Sequence, residues 1–144
     1  MVQKLRERSQ GESGFTLVEL LVVMLILGLL AAIAVPSFFN QRDKARDADA
    51  KAGVRTSQTA METYATDNNG SYVGADATAL RAIEQTLTDS NIAPAPTVAA
   101  DSYTVNVTSD TGNVFSITRN TNGTTDLTCT TLGQDGCPAS GIWG

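Results

Sequence analysis

The distribution of apolar residues divides this chain into two parts. From Phe15 to Phe39 the sequence contains a single charged side chain, Glu19, whereas the sequence after Asn40 is polar and rich in Thr, Asn, Asp and Gly. An apolar run of about 20 residues is long enough to cross a bilayer as an α-helix. The pattern therefore predicts a membrane-length helix followed by a water-exposed domain.

Helical periodicity continues beyond the apolar run, to about residue 66. The segment 40–52 is charged and rich in alanine, with Asp43–Arg46 and Asp47–Lys51 at favourable helical spacings, and it predicts a solvated helix face. A modest apolar stripe accompanies it at helical spacing and predicts a face that packs on a sheet. The stripe comprises Ala50, Val54, Ser57, Met61, Tyr64 and Ala65.

The segment from about 67 to 100 has no sustained periodicity and predicts a connector. The motif Asn68-Asn69-Gly70, whose residues tolerate left-handed backbone, predicts the end of the long helix. Residues 78–87 predict a short helix, and Pro94 and Pro96 interrupt the chain after it.

Three later segments alternate between apolar and polar side chains, which is typical of half-buried β-strands. They are Tyr103–Thr108, Phe115–Thr118 and Asp126–Cys129. A turn at Asp110-Thr111-Gly112 follows the first, and Asn122-Gly123 predicts a type I′ hairpin before the third. The sequence thus predicts an α+β fold in which a long N-terminal α-helix packs on a small antiparallel β-sheet at about 102–131.

The composition of the chain excludes most familiar enzyme mechanisms. The 144 residues carry a formal charge of −5 and include no histidine, which excludes imidazole bases and histidine metal ligands. Asp110 and Asp135 each lie near a glycine, but neither belongs to the oxygen-rich loop that Ca²⁺ requires. We therefore expect no enzyme activity, no cofactor and no metal site.

The two cysteines, Cys129 and Cys137, both lie near the C-terminus, in the part predicted to lie outside a membrane. A disulfide between them is expected in an oxidising compartment. Such a bridge closes a short loop and would stabilise the domain by roughly 2–3 kcal/mol in the loop-entropy model.

Residues 1–14 form a short basic head before the apolar run. Three basic residues against two acidic ones give it a charge of +1, and the positive-inside rule places it in the cytoplasm. A conventional secretory signal would have the same order and could be cut after the small-x-small triplet Ala32-Ile33-Ala34. An uncleaved membrane anchor is the other conventional interpretation.

Glu19 argues against both conventional interpretations. An acidic residue in the middle of a membrane span costs about 2.5–3.5 kcal/mol on insertion scales and calls for a partner. One partner is local, because Thr16-x-x-Glu19 before an apolar run fits a helix capping box. A cut between Gly14 and Phe15 would supply another, since it creates an α-amine four residues before the carboxylate.

The order Gly14-Phe15-Thr16-Leu17-Val18-Glu19, after a basic leader and before an apolar helix, resembles the N-terminal signature of class III prepilins of the type IV pilin family. The resemblance implies a pilin-like fold and three segments: a cleaved leader at 1–14, a transmembrane and assembly helix at 15–39, and a periplasmic or extracellular head at 40–144. It further implies that a prepilin peptidase cuts after Gly14 and N-methylates Phe15. Glu19 would then bind the Phe15 amine of a neighbouring subunit during assembly.

The function implied by the resemblance is that of a structural subunit of a type IV pilus for adhesion, motility or DNA uptake. Its partners would be further copies of itself, the peptidase, the inner-membrane assembly machinery and, before assembly, membrane lipid. It would lie in the inner membrane as a single-pass precursor and then in an extracellular filament.

Gly28 and Pro36 weaken the helix between them, because glycine has low helix propensity and proline lacks the N–H that would bond to Ala32. In the pilin family such a segment can lose helical structure in the filament. The two residues therefore mark a predicted soft spot.

Other roles stay open at this stage. Within the same family they are a type II secretion pseudopilin, whose expected C-terminal calcium site is weak here, and a minor or competence pilin. A secreted binding module with an ordinary signal peptide belongs to a different class. Without the leader the chain has seven basic and thirteen acidic residues, so no direct nucleic-acid binding is expected.

Overall fold

The computed structural model describes residues 14–93 and 95–144. All of the predicted leader except Gly14 therefore lies outside the described residues. A long helix, α1 (Leu17–Asp67), is followed by a short helix, α2 (Ala77–Ile83), and by four strands. The chain divides into two units between Phe38 and Phe39.

The first unit contains the apolar part of α1. The large hydrophobic side chains of residues 15–38 are all exposed, from 48% for Val23 and Ile26 to 89% for Phe15. By length and composition this helix could cross a membrane. It is continuous through Gly28 and Pro36, so both positions of the predicted soft spot are helical here. Loss of helix within a filament stays a prediction.

The second unit contains the rest of α1, whose buried face follows the predicted stripe. Val54 and Met61 are fully buried, and Tyr64 is half-buried. The helix ends as predicted: Asn69 and Gly70 have φ values of 56° and 84°, and the Gly70 N–H donates to Ala65 O at 2.7 Å. This is the hydrogen bond of a Schellman cap.

The predicted short helix at 78–87 is present but divided. α2 begins after Asp76, whose side chain accepts a hydrogen bond from the Ala79 N–H at 2.7 Å. Glu84 is extended and separates α2 from a 3₁₀ turn at Gln85–Thr88. Leu80 and Leu87 are buried in the core on either side of this break.

The sheet has four antiparallel strands in the order β1 (Thr97–Val98), β2 (Tyr103–Thr108), β3 (Val114–Arg119) and β4 (Thr125–Cys129). The three predicted strands are confirmed as β2, β3 and β4. The fourth, β1, has only two residues, too few to produce an alternating pattern. Inward-facing side chains of β2 and β3 join those of α1 in a single hydrophobic core.

The predicted type I′ hairpin is wrong. A type I′ turn needs positive φ at both central residues, whereas Gly123 has a φ of 84° and Asn122 does not have a positive φ. The Gly123 N–H donates to Asn120 O at 2.9 Å, and the Asn120 N–H donates to Thr124 O at 2.9 Å. The connection is thus a three-residue loop in which glycine supplies the left-handed position.

We predict that Leu80→Ala lowers the free energy of unfolding by about 2–5 kcal/mol, because it leaves a cavity at a fully buried leucine. Leu132→Ala is the matched control, since Leu132 is 57% exposed, and we expect a change of about 0.5 kcal/mol or less. Urea unfolding of the full chain in detergent, followed by the fluorescence of its single tryptophan, Trp143, measures both. Equal losses in the two variants would contradict this description of the core.

Candidate functional site

Gly14 and Phe15 lie directly before the start of α1, outside regular secondary structure. Both are exposed, and Phe15 is the most exposed large hydrophobic side chain among the described residues. The peptide bond that joins them is therefore not covered by packing against the described part of the chain.

Glu19 is tied to the first turn of α1 by the predicted capping box, which is confirmed. The Thr16 N–H donates to Glu19 Oε2 at 3.2 Å, and the Glu19 N–H donates to Thr16 Oγ1 at 3.1 Å. The Thr16 hydroxyl also contacts Oε2 at 3.3 Å. Glu19 nevertheless remains exposed. A carboxylate has about four acceptor positions, so it can accept a further, charged donor.

The second unit contains a buried carboxylate, Asp47, which is 0% exposed. Its Oδ2 accepts hydrogen bonds from Asn113 Nδ2 at 2.7 Å and from the Gly136 N–H at 2.9 Å, and its Oδ1 accepts one from the Thr111 hydroxyl. One side chain of α1 therefore binds both the β2–β3 turn and the C-terminal loop. We call these contacts the Asp47 clamp.

The hydrogen bonds of the clamp keep the Asp47 carboxyl deprotonated. Burial alone would raise the pKa of this carboxyl, but the hydrogen bonds outweigh burial and hold the pKa below its ordinary value. The contributing groups are Thr111, Ser109, the Gly136 N–H and Asn113. The carboxylate thus stays charged inside the fold at neutral pH.

Two further contacts extend the clamp. Lys51 Nζ donates to Gly136 O at 2.6 Å, while the Gly136 N–H donates to Asp47. Both backbone polar groups of Gly136 are therefore bound by side chains of α1. Asn113, 1% exposed, accepts a hydrogen bond from the Thr131 N–H at 3.1 Å. A Cβ at position 136 would lie 2.6 Å from the Cβ of Asp47, which explains why glycine occupies it.

The prediction of a mostly solvated helix face at 40–52 holds for most of its charged residues, but Asp47 is buried. The Asp43–Arg46 pair is present at 3.4 Å, but Lys51 donates to Gly136 rather than pairing with Asp47. One signal could have identified the buried acid. Asp47 precedes Ala50 by three residues and Val54 by seven, which places it on the buried stripe.

The predicted disulfide is confirmed: Cys129 and Cys137 are bonded, with their Cα atoms 5.8 Å apart. The segment after it returns along the outer edge of β4. The Cys129 N–H donates to Gly141 O at 2.9 Å, and the Trp143 N–H donates to Leu127 O at 3.2 Å. The C-terminal segment thus covers an edge that would otherwise be open to pairing.

A second acidic residue of α1, Glu62, organises the opposite end of the sheet. It accepts hydrogen bonds from the hydroxyls of Tyr72 at 2.9 Å and Tyr103 at 3.0 Å, and it contacts Arg119 at 3.2 Å. Burial, together with this carboxylate, raises the pKa of both tyrosines. This cluster could not be predicted from the sequence, because its members are far apart along the chain.

Within residues 14–93 and 95–144, no group of three or more histidine, cysteine or acidic residues is arranged to hold a metal ion. The described residues present an exposed carboxylate, Glu19, beside a large apolar surface in the first unit, and two hydrogen-bonded carboxylates, Asp47 and Glu62, in the second.

Two family models match the chain. Residues 9–35 match the model described as "Prokaryotic N-terminal methylation motif". Residues 36–133, more than half of the chain, match the model described as "Type IV minor pilin ComP, DNA uptake sequence receptor". The first match contains Gly14, Phe15 and Glu19, and the second contains all four strands.

Similar proteins include both secretion and pilus components. The type II secretion system core protein G of Pseudomonas aeruginosa is 42% identical over 57 residues, 40% of each chain. The type IV major pilin protein PilA of Myxococcus xanthus is 39% identical over 51 residues, 35% of this chain and 23% of its own. The type IV wide pilus major component PilA4 of Thermus thermophilus is 37% identical over 60 residues, 42% of this chain and 46% of its own.

These matches span less than half the length of the curated relatives. No solved structure matches the chain.

The Asp47 clamp predicts a specific acid sensitivity. Because the folded-state pKa lies below the ordinary value of 3.8, the carboxylate stabilises the fold above that value, and this stability is lost as the pH falls through the folded-state pKa. We expect Asp47→Asn to lower the free energy of unfolding at pH 7 by about 1–3 kcal/mol, since buried donors lose a charged acceptor. The difference from wild type should shrink below about pH 4.

Urea unfolding at a series of pH values measures this difference. Asp49→Asn is the control, because Asp49 is exposed and lies two residues away on the same helix. A difference between wild type and Asp47→Asn that stays constant down to strongly acidic pH would mean that the charge of Asp47 does not stabilise the fold.

Proposed function

Because this chain belongs to the type IV pilin family, we propose that it is a structural subunit that polymerises through its N-terminal helix into a surface filament of the type IV pilus class. The observation that supports this most strongly is the exposure of the apolar side chains of α1 in the first unit, next to a matched methylation motif. A surface of this kind needs lipid or other protein to cover it.

In this proposal the chain is made as a membrane precursor with residues 1–14 as leader, 15–39 as the spanning and assembly helix, and 40–144 as the head outside the membrane. A prepilin peptidase cuts between Gly14 and Phe15 and methylates the new amine of Phe15. The exposure of both residues ahead of α1 supports access by such an enzyme. The assembly machinery of the inner membrane then moves the subunit into the filament.

Assembly replaces lipid around α1 with the helices of neighbouring subunits. Since lipid tails are as apolar as leucine, this exchange supplies little driving force, and packing and polar contacts must direct it. We propose that Glu19 accepts the methylated amine of Phe15 from a neighbour. The capping box supports this role, because it fixes the carboxylate at the helix start while leaving it exposed. Gly28 and Pro36 would let the helix adjust to its neighbours.

A second candidate is a minor pilin whose head binds DNA. It is favoured by the match of residues 36–133 to a family described as a DNA uptake sequence receptor. The charges of the head oppose it: beyond residue 39 there are seven basic and twelve acidic residues. One of the basic residues, Arg119, is paired with Glu62. We therefore propose a minor or major filament subunit without intrinsic DNA affinity.

Substitution of Glu19 tests the filament proposal. Glu19→Gln keeps the capping pattern, which glutamine also satisfies, but removes the charge. We expect normal processing, seen as an intact mass that begins at methylated Phe15. The quantity of filament sheared from cells should fall at least about tenfold, because loss of one partner of a buried pair costs about 3–5 kcal/mol.

Thr16→Ala is the matched control, since it weakens the cap and leaves the carboxylate. If Glu19 acts only as a cap, Thr16→Ala should reduce filaments, whereas Glu19→Gln, which keeps the cap, should not. Wild-type filament levels in Glu19→Gln would remove the proposed intersubunit pair. A mature chain that begins near Val35 would replace the whole proposal with an ordinary secreted protein.

Fluorescence anisotropy of labelled duplex DNA separates the two candidates. For the full chain in detergent we expect no binding tighter than the nonspecific range of about 10⁻⁴–10⁻⁶ M at physiological salt, because phosphate contacts need clustered cations. Arg42→Gln/Lys44→Gln, which removes two exposed cations, serves as a probe of any weak binding. Sequence-selective binding at nanomolar concentration would instead assign the receptor role.

A further inference from the structure

The C-terminal segment is attached to the second unit at two adjacent positions by different chemistry. Cys137 is bonded covalently to Cys129 of β4. Its neighbour Gly136 is held by α1 through both of its peptide atoms, with its N–H on Asp47 at 2.9 Å and its carbonyl on Lys51 at 2.6 Å. The two attachments therefore act on the same short stretch of backbone.

Both attachments have the same structural consequence. They hold the loop between β4 and the C-terminus so that Gly141 and Trp143 pair with the outer edge of β4. The Trp143 ring then packs edge-on against Phe115, with 5.9 Å between ring centroids, and its Nε1 donates to Thr128 O at 2.9 Å. The covered edge of β4 and the half-buried Trp143 ring therefore depend on the placement of residues 136 and 137.

We propose that Asp47 is a positioning residue for the Cys129–Cys137 disulfide. With the clamp intact, the reduced chain keeps Gly136 against α1, so the thiol of Cys137 stays close to that of Cys129. Without the clamp, Cys137 reaches Cys129 only by random closure of the flexible loop, which costs conformational entropy. The clamp therefore favours oxidation of the pair, and the disulfide in turn favours the clamp by the same factor, because coupling between two equilibria is reciprocal.

The exchange reaction that reports this coupling is balanced with glutathione disulfide as oxidant. One protein thiolate attacks the glutathione disulfide, forms a mixed disulfide and releases one glutathione thiolate. The second protein thiolate then attacks the mixed disulfide, forms the Cys129–Cys137 bond and releases the other. The protein loses two electrons and two protons, and one glutathione disulfide becomes two glutathione thiols.

The test measures the equilibrium between reduced and oxidised full-length chain in detergent, in glutathione buffers of graded composition. Trapping free thiols with an alkylating agent and weighing the intact protein gives the oxidised fraction. We expect Asp47→Asn to lower the equilibrium constant for disulfide formation at least about fivefold, the lower end of typical coupling between sites. Asp49→Asn, an exposed acid on the same helix, should match wild type within about twofold.

Hydrogen exchange of the reduced proteins supplies a readout that the chemistry of the thiols does not affect. In reduced wild type the amides of Cys129 and Trp143 should stay protected, because the clamp still holds the segment. In reduced Asp47→Asn they should exchange at least about fivefold faster. The amides that pair β2 with β3 report the loss of global stability in this variant, and their exchange should rise by a smaller factor than that of Cys129 and Trp143.

Lys51→Met keeps the proposal testable if Asp47→Asn does not fold. It removes the hydrogen bond to Gly136 O and keeps an apolar stem of similar length beside Phe115, whose ring centroid lies 5.3 Å from Lys51 Nζ. A smaller shift of the disulfide equilibrium in the same direction is expected. Wild-type equilibria in both variants, or in the one that folds, would overturn the proposal, as would loss of protection at Cys129 and Trp143 in reduced wild type.

Discussion

The apolar surface of residues 17–39 is the constraint on which the behaviour of this chain depends. Its large hydrophobic side chains remain about half exposed or more. Moving one such side chain out of water is worth about 1.5–3 kcal/mol. A surface of this kind fits two environments, which are membrane lipid and the apolar surfaces of other chains. Because those two environments are similarly apolar, the choice between them rests on the few polar groups of the segment.

The second unit has to form a stable fold from one face of α1 and four short strands. Its core is small, and α1 supplements it with two acidic side chains that bind distant elements. Asp47 holds the β2–β3 turn and the C-terminal loop, while Glu62 holds two tyrosines and Arg119. Burial of a charge such as that of Asp47 is costly unless donors surround it. Asp47 and the partly exposed Glu62 each have at least three hydrogen-bond partners.

Features that depend on neighbouring residues could be predicted from the sequence. The capping box, the buried stripe, the end of α1 and the strands β2 to β4 all follow from patterns within a few residues. The place of Asp47 on the buried stripe is such a pattern, but its hydrogen-bond partners could not be found in this way, because they lie 64, 66 and 89 positions away. Strand β1 is too short for a pattern, and the φ of Asn122 depends on its local hydrogen bonds rather than on the Asn-Gly pair alone.

Three acidic residues of α1, Asp47, Glu62 and Glu19, differ in where their hydrogen-bond partners lie. Asp47 and Glu62 bind groups from other parts of the same chain, so their charges stabilise the fold. Among the described residues, the hydrogen-bond partner of the Glu19 carboxylate is Thr16, within its own helical turn, and that contact orients the carboxylate without neutralising it. In an apolar environment an oriented and uncompensated charge favours a cation from outside the chain. In the filament proposed above, Glu19 would accept a cation from a neighbouring subunit, whereas Asp47 and Glu62 bind groups of their own head.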